Sequence, residues 1–193
     1  MSTEAEIAKS FCEGKSVYNP SVPCEYKSIY TLIKNNIVIF EKDDGLLRYF
    51  NTLTGNLSSF YASVSCDESG CLYCFSDNES KKWIDPVTDK TIYERPEADW
   101  ISAEKVWKNF YVFSRFCSFD SFFEHISTDL VFCDDNGLTS YVIENVTDLQ
   151  ITKYGYDRQG MDFVVTFSKN DKRYSITTSE SQWDFDKIKK LCR

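Results

Sequence analysis

The stretch KKWIDPVTDKTIYERP (residues 81–96) places a tight turn between two short runs of strand-forming residues. A similar stretch, YFNTLTGN, lies upstream at residues 49–56. Alignment of the two puts Asn51 on Asp85, at an offset of 34 residues. An Asn or Asp followed closely by Pro, Thr and Gly is typical of tight turns. The two stretches therefore predict one small antiparallel β unit that occurs twice.

The composition is that of a globular chain with one domain or two small ones. Of the 193 residues, 42% are hydrophobic and 27% are charged, and this balance allows a substantial core. Gly and Pro are scarce, with seven and four residues. Long disordered segments are therefore not expected.

The pattern of apolar residues predicts a mainly β fold with a few helices. Residues 1–98 contain a short helix at residues 4–12 and then closely spaced strands, which form antiparallel meanders. In residues 99–127 the apolar positions recur at spacings of three and four, which predicts a helical connector. Residues 128–193 return to antiparallel strands and end in a helix.

Residues 36–62 and 70–96 resemble two divergent WW domains. In the second copy, Trp83 takes the place of the second aromatic residue of the family's central pair, and Pro96 that of its terminal proline. The resemblance implies a small sheet on which Trp83, Pro96 and a further aromatic side chain pack together on one face. Trp83 is accordingly expected to be buried.

The other face of a WW sheet binds ligand, because an exposed aromatic pair there holds a proline-rich segment. The first residue of that pair is replaced in this chain by Lys82. Tyr93 is the expected anchor, on the face opposite Trp83. The candidate ligand-binding residues are Tyr93, Phe50, Ile84 and Lys82. The resemblance thus implies a protein partner that presents an extended or proline-containing segment.

The strands after residue 127 and the terminal helix near Trp183 resemble, in their order, the end of a pleckstrin-homology-like domain. Such a barrel has about seven strands, and about five are predicted after residue 127. The resemblance implies a β module that ends in a C-terminal helix.

Three of the eight cysteines, Cys66, Cys71 and Cys74, follow the spacing Cys-x4-Cys-x2-Cys. The spacing is similar to that of plant-type ferredoxins, and a zinc site is an alternative. The simpler interpretation is a hairpin in which Cys66 faces Cys71 and Cys74 points to the other face. On this interpretation the thiols are reduced and no metal or other cofactor is bound.

Net charge and the N-terminus bear on partners and location. At a net charge of −8, the chain repels nucleic-acid phosphates, so a protein partner is expected rather than direct nucleic-acid binding. No apolar run is long enough for a signal peptide or a membrane-spanning helix. The prediction is an intracellular protein of the cytoplasm or nucleus without membrane insertion, and the oligomeric state is left open.

Catalytic motifs are not found in the sequence. The chain has a single histidine, His125, and contains no phosphate loop, nucleophile elbow or zinc-protease motif. The sequence therefore favours a non-enzymatic interaction or scaffold protein. Two alternatives stay open: a compact acidic β-rich inhibitor or mimic of the kind that viruses make against host proteins, and a cysteine-based zinc protein.

Overall fold

Three antiparallel sheets and two helices are found in the described part of the computed structural model. The described residues are 4–13, 26–33, 36–67, 69–76, 80–95, 100–107, 109–119, 122–134, 136–137, 139–154, 162–179 and 182–192. The chain divides into two compact units, residues 1–97 and 98–193. The predicted fold class, mainly β with antiparallel strands and a C-terminal helix, is confirmed.

The first unit contains one helix and two sheets. The helix is α1 (Glu4–Cys12), at the position predicted from the sequence. The three-stranded sheet, called sheet 1, has the order β1 (Tyr26–Leu32), β2 (Ile37–Lys42), β3 (Leu47–Asn51). The four-stranded sheet, called sheet 2, has the order β4 (Ser63–Cys66), β5 (Leu72–Phe75), β6 (Lys81–Ile84), β7 (Thr91–Arg95).

The second unit is a seven-stranded sheet followed by a helix. Its strands lie side by side in chain order: β8 (Trp100–Trp107), β9 (Phe110–Phe119), β10 (Phe122–Cys133), β11 (Ser140–Tyr154), β12 (Asp162–Lys169), β13 (Lys172–Ser179) and β14 (Gln182–Trp183). The helix is α2 (Phe185–Leu191). The Asp184 carboxylate accepts a hydrogen bond from the Lys187 N–H at 3.0 Å, which caps the start of this helix.

The helical connector predicted for residues 99–127 is wrong, because strands β8, β9 and the first part of β10 occupy that range. The residues from Phe110 to Phe113 are all buried. A strand buried on both faces loses the alternation of apolar and polar residues that identifies strands. Its apolar positions can then match a helical period, while its aromatic and β-branched residues favour a strand.

The repeat seen in the sequence is also a repeat in strand pairing. Ile39 pairs with Tyr49 in sheet 1, and Tyr73 pairs with Trp83 in sheet 2, in each case 34 residues further along. Four consecutive pairs between β2 and β3 have such counterparts between β5 and β6. The bridge that joins Leu47 to Tyr61 likewise corresponds to a pair between β6 and β7. The two copies therefore share one strand register.

The two copies of the repeated unit pack against each other through opposite faces, and these two faces form one core. Sheet 1 contributes the face that carries Ile39 and Tyr49, whereas sheet 2 contributes the face that carries Leu72 and Ile84. The counterparts of Leu72 and Ile84 in sheet 1 are Val38 and Phe50, which lie on the other face of that sheet. Those side chains pack against α1 instead.

The long strand β11 joins the two parts of the second unit's sheet. Its residues up to Val146 pair with β10, and its residues from Thr147 pair with β12. On either side of this junction the backbone takes positive φ, at Asn145 (57°) and Asp148 (50°), and the strand register shifts at both places. Such irregularities bend a strand. Inward side chains from both halves of the sheet, with Trp183 and Ile188, form one core.

Candidate functional site

The expected anchor, Tyr93, is buried and lies on the same face as Trp83. Its exposed fraction is 3%. The two residues are directly opposite each other on β6 and β7, with ring centroids 5.7 Å apart. Directly paired residues of antiparallel strands point to the same face, so the expectation that Tyr93 faces away from Trp83 is wrong. Trp83 itself is buried as predicted, and its ring centroid lies 5.0 Å from that of Tyr73. Pro96 lies outside the described residues.

Phe50 and Ile84 do not join Tyr93 in one surface patch. Phe50 packs beneath α1, on the outer face of sheet 1. Ile84 packs in the core between sheets 1 and 2. Both faces of sheet 1 are packed against other parts of the first unit. Its strands therefore lack the solvent-facing side that an antiparallel sheet at the surface has. The predicted exposure of Phe50 and Ile84 is therefore wrong, since both are buried.

Lys82 is the most accessible of the predicted ligand-binding residues. Its ammonium lies 3.2 Å from the Glu94 carboxylate, and both side chains are partly exposed. Glu94 also accepts a hydrogen bond from the Ser80 hydroxyl at 2.6 Å. That hydrogen bond lowers the pKa of Glu94, and Lys82 lowers it further. Lys82 thus forms a surface ion pair on sheet 2.

The cysteine cluster has a different geometry from the one expected. Cys66 lies opposite Leu72, and Cys74 lies opposite Val64, so Cys66 and Cys74 share one face. The Asp67 N–H donates to the Cys71 carbonyl oxygen, so Cys71 closes the turn together with Asp67 and does not lie opposite Cys66. Cys66 is exposed whereas Cys71 and Cys74 are buried. Within the part of the chain that the structure describes, no three His, Cys, Asp or Glu residues form a group that could hold a metal ion.

The two repeated turns have the same internal hydrogen bonds. The Asn51 side-chain oxygen accepts from the N–H groups two and three residues later, at 3.0 and 3.4 Å. The Asp85 carboxylate does the same at 2.7 and 3.2 Å. Each turn then reverses at a residue with positive φ, Gly55 at 77° in the first and Asp89 at 58° in the second. The predicted turn chemistry is confirmed in both copies.

Three hydrogen bonds fasten the first turn to the second. Asn51 Nδ2 donates to the Pro86 carbonyl oxygen at 2.8 Å. The Asp89 carboxylate accepts from the Tyr49 hydroxyl at 2.8 Å and from Asn56 Nδ2 at 2.9 Å. Burial raises the pKa of Tyr49, and the hydrogen bond to Asp89 raises it further. The tyrosine therefore stays protonated as a donor, and the two turns form one fixed edge, called the paired turns.

The paired turns expose an apolar side chain at the same position of each copy. Leu53 is 54% exposed and Val87 is 64% exposed. Each is the second residue after the Asx residue of its turn. Leu57, just after the first turn, is 37% exposed. Sequence reasoning missed this surface, although the alignment that equates Asn51 with Asp85 also equates Leu53 with Val87.

The second unit holds a buried acidic side chain in the middle of its sheet. Asp129 is fully buried, and its carboxylate lies 3.5 Å from the Arg115 guanidinium. The same carboxylate accepts a hydrogen bond at 2.8 Å from the Asn145 N–H, at the bend of β11. His125, the single histidine, is exposed and contacts Thr128 at 3.0 Å. The Asp129 contacts thus hold Arg115 and the backbone of β11 at its bend.

Comparisons with known proteins add little to these observations. No family model matches the chain, and no curated protein is similar to it. One similar solved structure is the computationally designed Ika8 protein, at 12% sequence identity and a TM-score of 0.21. The match covers 82% of this chain and 60% of the designed one, and at that TM-score it carries no argument. Among the described residues, neither helix is long and apolar enough to cross a membrane.

Proposed function

We propose that this chain is a non-enzymatic interaction or scaffold protein that binds a protein partner through the paired turns. The observation that carries the proposal is the matched exposure of Leu53 and Val87 at equivalent positions of two turns. Exposed apolar side chains occur singly on most protein surfaces. Two of them on turns that are hydrogen-bonded to each other form a recurring feature of the repeat.

The rigidity of the paired turns suits them to binding. A side chain on a loop that is already ordered loses less conformational freedom when a partner covers it. Here the side chains of Asn51 and Asp85 order the turns from within, and Asp89 ties one to the other. Binding residues are commonly found on loops that a rigid scaffold positions. The two sheets of the first unit would be that scaffold.

The charge of the chain favours one kind of partner. Val87 lies between Asp85 and Asp89 in the sequence, and the whole chain has a net charge of −8. A partner surface with apolar residues ringed by basic ones would complement this edge and associate faster at low salt.

Free cysteines such as Cys66 are typical of reducing compartments, and we propose that the protein is located in the cytoplasm or nucleus.

We propose that the second unit is a divergent pleckstrin-homology-like module, and the support for this is a series of antiparallel strands followed by a C-terminal helix. Its described residues form seven strands in sequential antiparallel order, and five of these lie wholly or partly after residue 127, as predicted. The chain then enters α2, whose Ile188 packs into the same core as Trp183. In this proposal the module is a second scaffold element.

The test is affinity capture with the full-length chain as bait in cells that make it. The double variant Leu53→Asp with Val87→Asp should lose partners that the unaltered chain captures. Ile126→Asp is the matched control, because Ile126 is 50% exposed and lies in the other unit. For a captured partner that is then purified, calorimetry should show at least a tenfold weaker Kd for the double variant. Equal capture by all three proteins, with unchanged thermal unfolding, would reject the paired turns as the binding surface.

A further inference from the structure

Asp89 lies in a backbone conformation that favours glycine. Its φ is 58°, in the left-handed region, where a Cβ atom is crowded by the backbone. The equivalent residue of the first copy, at the 34-residue offset, is Gly55 with a φ of 77°. Glycine adopts this conformation without steric cost. The second turn would therefore form more easily with glycine at position 89, and the contacts of the Asp89 side chain offset that disadvantage.

The Asp89 carboxylate makes its hydrogen bonds with the first copy of the repeat. One oxygen accepts from the Tyr49 hydroxyl at 2.8 Å, and the other accepts from Asn56 Nδ2 at 2.9 Å. Because each oxygen has its own donor, the carboxylate is held in one orientation. Strained backbone positions of this kind are concentrated at functional sites.

These two bonds lie beside the exposed side chains of the paired turns. Asn56 is three residues after Leu53, and Asp89 is two residues after Val87. Both Leu53 and Val87 are more than half exposed. If the turns moved independently, a partner that covers both side chains would have to stop that motion, which weakens binding. The Asp89 carboxylate removes part of this motion before binding.

We propose that Asp89 is a positioning residue that holds Leu53 and Val87 at a fixed separation, so that one partner contacts both turns at once. This inference rests on the proposed function of the paired turns. Asp89 acts through its bonds to Tyr49 and Asn56. The partner therefore carries two apolar contact sites, one for each copy of the repeat.

Asp89→Gly in the full-length chain tests the coupling of the turns without a partner. The variant keeps a residue suited to the left-handed backbone and removes both bonds. Amide hydrogen exchange at Leu53 and Gly55, whose N–H groups donate to Asn51, should become about tenfold faster. The reason is that local opening loses about the net contribution of one hydrogen bond. A role confined to the second turn would leave exchange in the first turn unchanged, and that result would overturn the proposal.

Two further variants control for the substitution itself. Asp171→Gly makes the same change at a φ of 59° in the hairpin between β12 and β13, and it should leave the exchange rates of Leu53 and Gly55 unaltered. Asp89→Asn keeps a side-chain oxygen that can accept from the Tyr49 hydroxyl, so its exchange rates should lie between those of the unaltered chain and Asp89→Gly. Exchange as fast in Asp89→Asn as in Asp89→Gly would contradict the role of that bond and overturn the proposal.

Asn56→Ala tests the same coupling from the first turn. It removes the bond of 2.9 Å to Asp89 and leaves the Tyr49 bond in place. Exchange of the Val87 N–H, which donates to Asp85 at 2.7 Å, should become faster, because coupling between two sites is reciprocal. This variant decides the question even where Asp89→Gly fails to fold, and an unchanged rate at Val87 would count against the proposal.

Binding is then measured with a purified partner that the unaltered chain captures. Asp89→Gly should bind it with an about tenfold weaker Kd although Leu53 and Val87 are intact, and Leu53→Asp and Val87→Asp should each weaken the same complex. A partner whose affinity depends on only one of the two turns would overturn the proposal. Loss of partners in the Leu53 and Val87 double variant, together with unaltered exchange in Asp89→Gly, would reject this inference alone. Retention of every partner by the double variant would instead reject the proposed function.

Discussion

Asn51 Nδ2 donates a hydrogen bond of 2.8 Å to the carbonyl oxygen of Pro86, and this bond links the same turn in two copies of one repeat. The side-chain oxygen of Asn51 orders its own turn, as the Asp85 carboxylate does in the second copy. An amide at position 51 can fill both roles because it carries a donor and an acceptor. A carboxylate at that position could still order its own turn but could not donate to the Pro86 carbonyl oxygen.

Asn51→Asp should therefore lower the free energy of unfolding by about 2 kcal/mol, because the Pro86 carbonyl loses its donor and a carboxylate oxygen takes the donor's place at a fully buried position. Asp85→Asn is the matched control, since its amide oxygen can still accept from the N–H of Val87. We expect the control to change the free energy of unfolding by less than about 1 kcal/mol. Urea unfolding measures both values. Equal losses in the two variants would contradict the assigned role of the Asn51 amide.

Trp83→Ala should destabilise the first unit by about 3–5 kcal/mol, the usual cost of removing a large buried aromatic side chain. Tyr93→Ala should also destabilise it, because Tyr93 is buried against Trp83 rather than available to a ligand. Val87→Ala serves as the control, since Val87 is exposed and should leave the melting temperature almost unchanged. A Tyr93→Ala protein with an unaltered melting temperature would show that this packing contributes little.

The thiols should differ strongly in reactivity. Burial raises the pKa of Cys74 to about 12, so at pH 8 this thiol is protonated as well as shielded. Iodoacetamide should modify the exposed Cys66 while Cys74 reacts only after unfolding in urea. Peptide mass spectrometry gives the rate at each site. Modification of native Cys74 as fast as Cys66 would argue against the core position of Cys74.

The same thiol predicts how stability depends on alkaline pH. Its folded pKa is raised above the value of about 8.5 in an unfolded chain, so its contribution to stability is complete below about pH 8.5 and declines as the pH rises toward 12. Between pH 9 and pH 11, the free energy of unfolding should thus fall more steeply in the unaltered chain than in Cys74→Ala. Parallel curves for the two proteins would show that Cys74 does not titrate with unfolding.

Two ion pairs of similar length should differ in their worth to the fold. Asp129→Ala removes a fully buried carboxylate and leaves Arg115 and the Asn145 N–H without it, which should cost about 3–5 kcal/mol. Glu94→Ala breaks the exposed pair with Lys82 and should cost less than about 1 kcal/mol. Thermal and urea unfolding check both. Losses of equal size would mean that burial does not set the strength of the Asp129 pair.

The part of the fold that could be predicted from the sequence rests on local chemistry. The repeat at Asn51 and Asp85 was visible because an Asx turn is specified by a few adjacent residues. The exposure of a residue depends on which distant segments cover its sheet. A local sequence pattern contains no information about those segments. The sequence therefore predicts Tyr93 at the surface although it is buried. Leu53 and Val87 could have been found by extending the repeat alignment to its variable positions.

The bend in β11 limits how the length of this chain can change. Side chains alternate along a strand, so a one-residue shift exchanges its two faces. Removal of a single residue between Asn145 and Asp148 would leave Ile143 facing the core but turn Ile151, beyond the bend, outward. Half of the second unit would then present its polar side inward. Insertions and deletions in natural variants of this chain should accordingly fall in the hairpin loops, or occur two residues at a time at this bend.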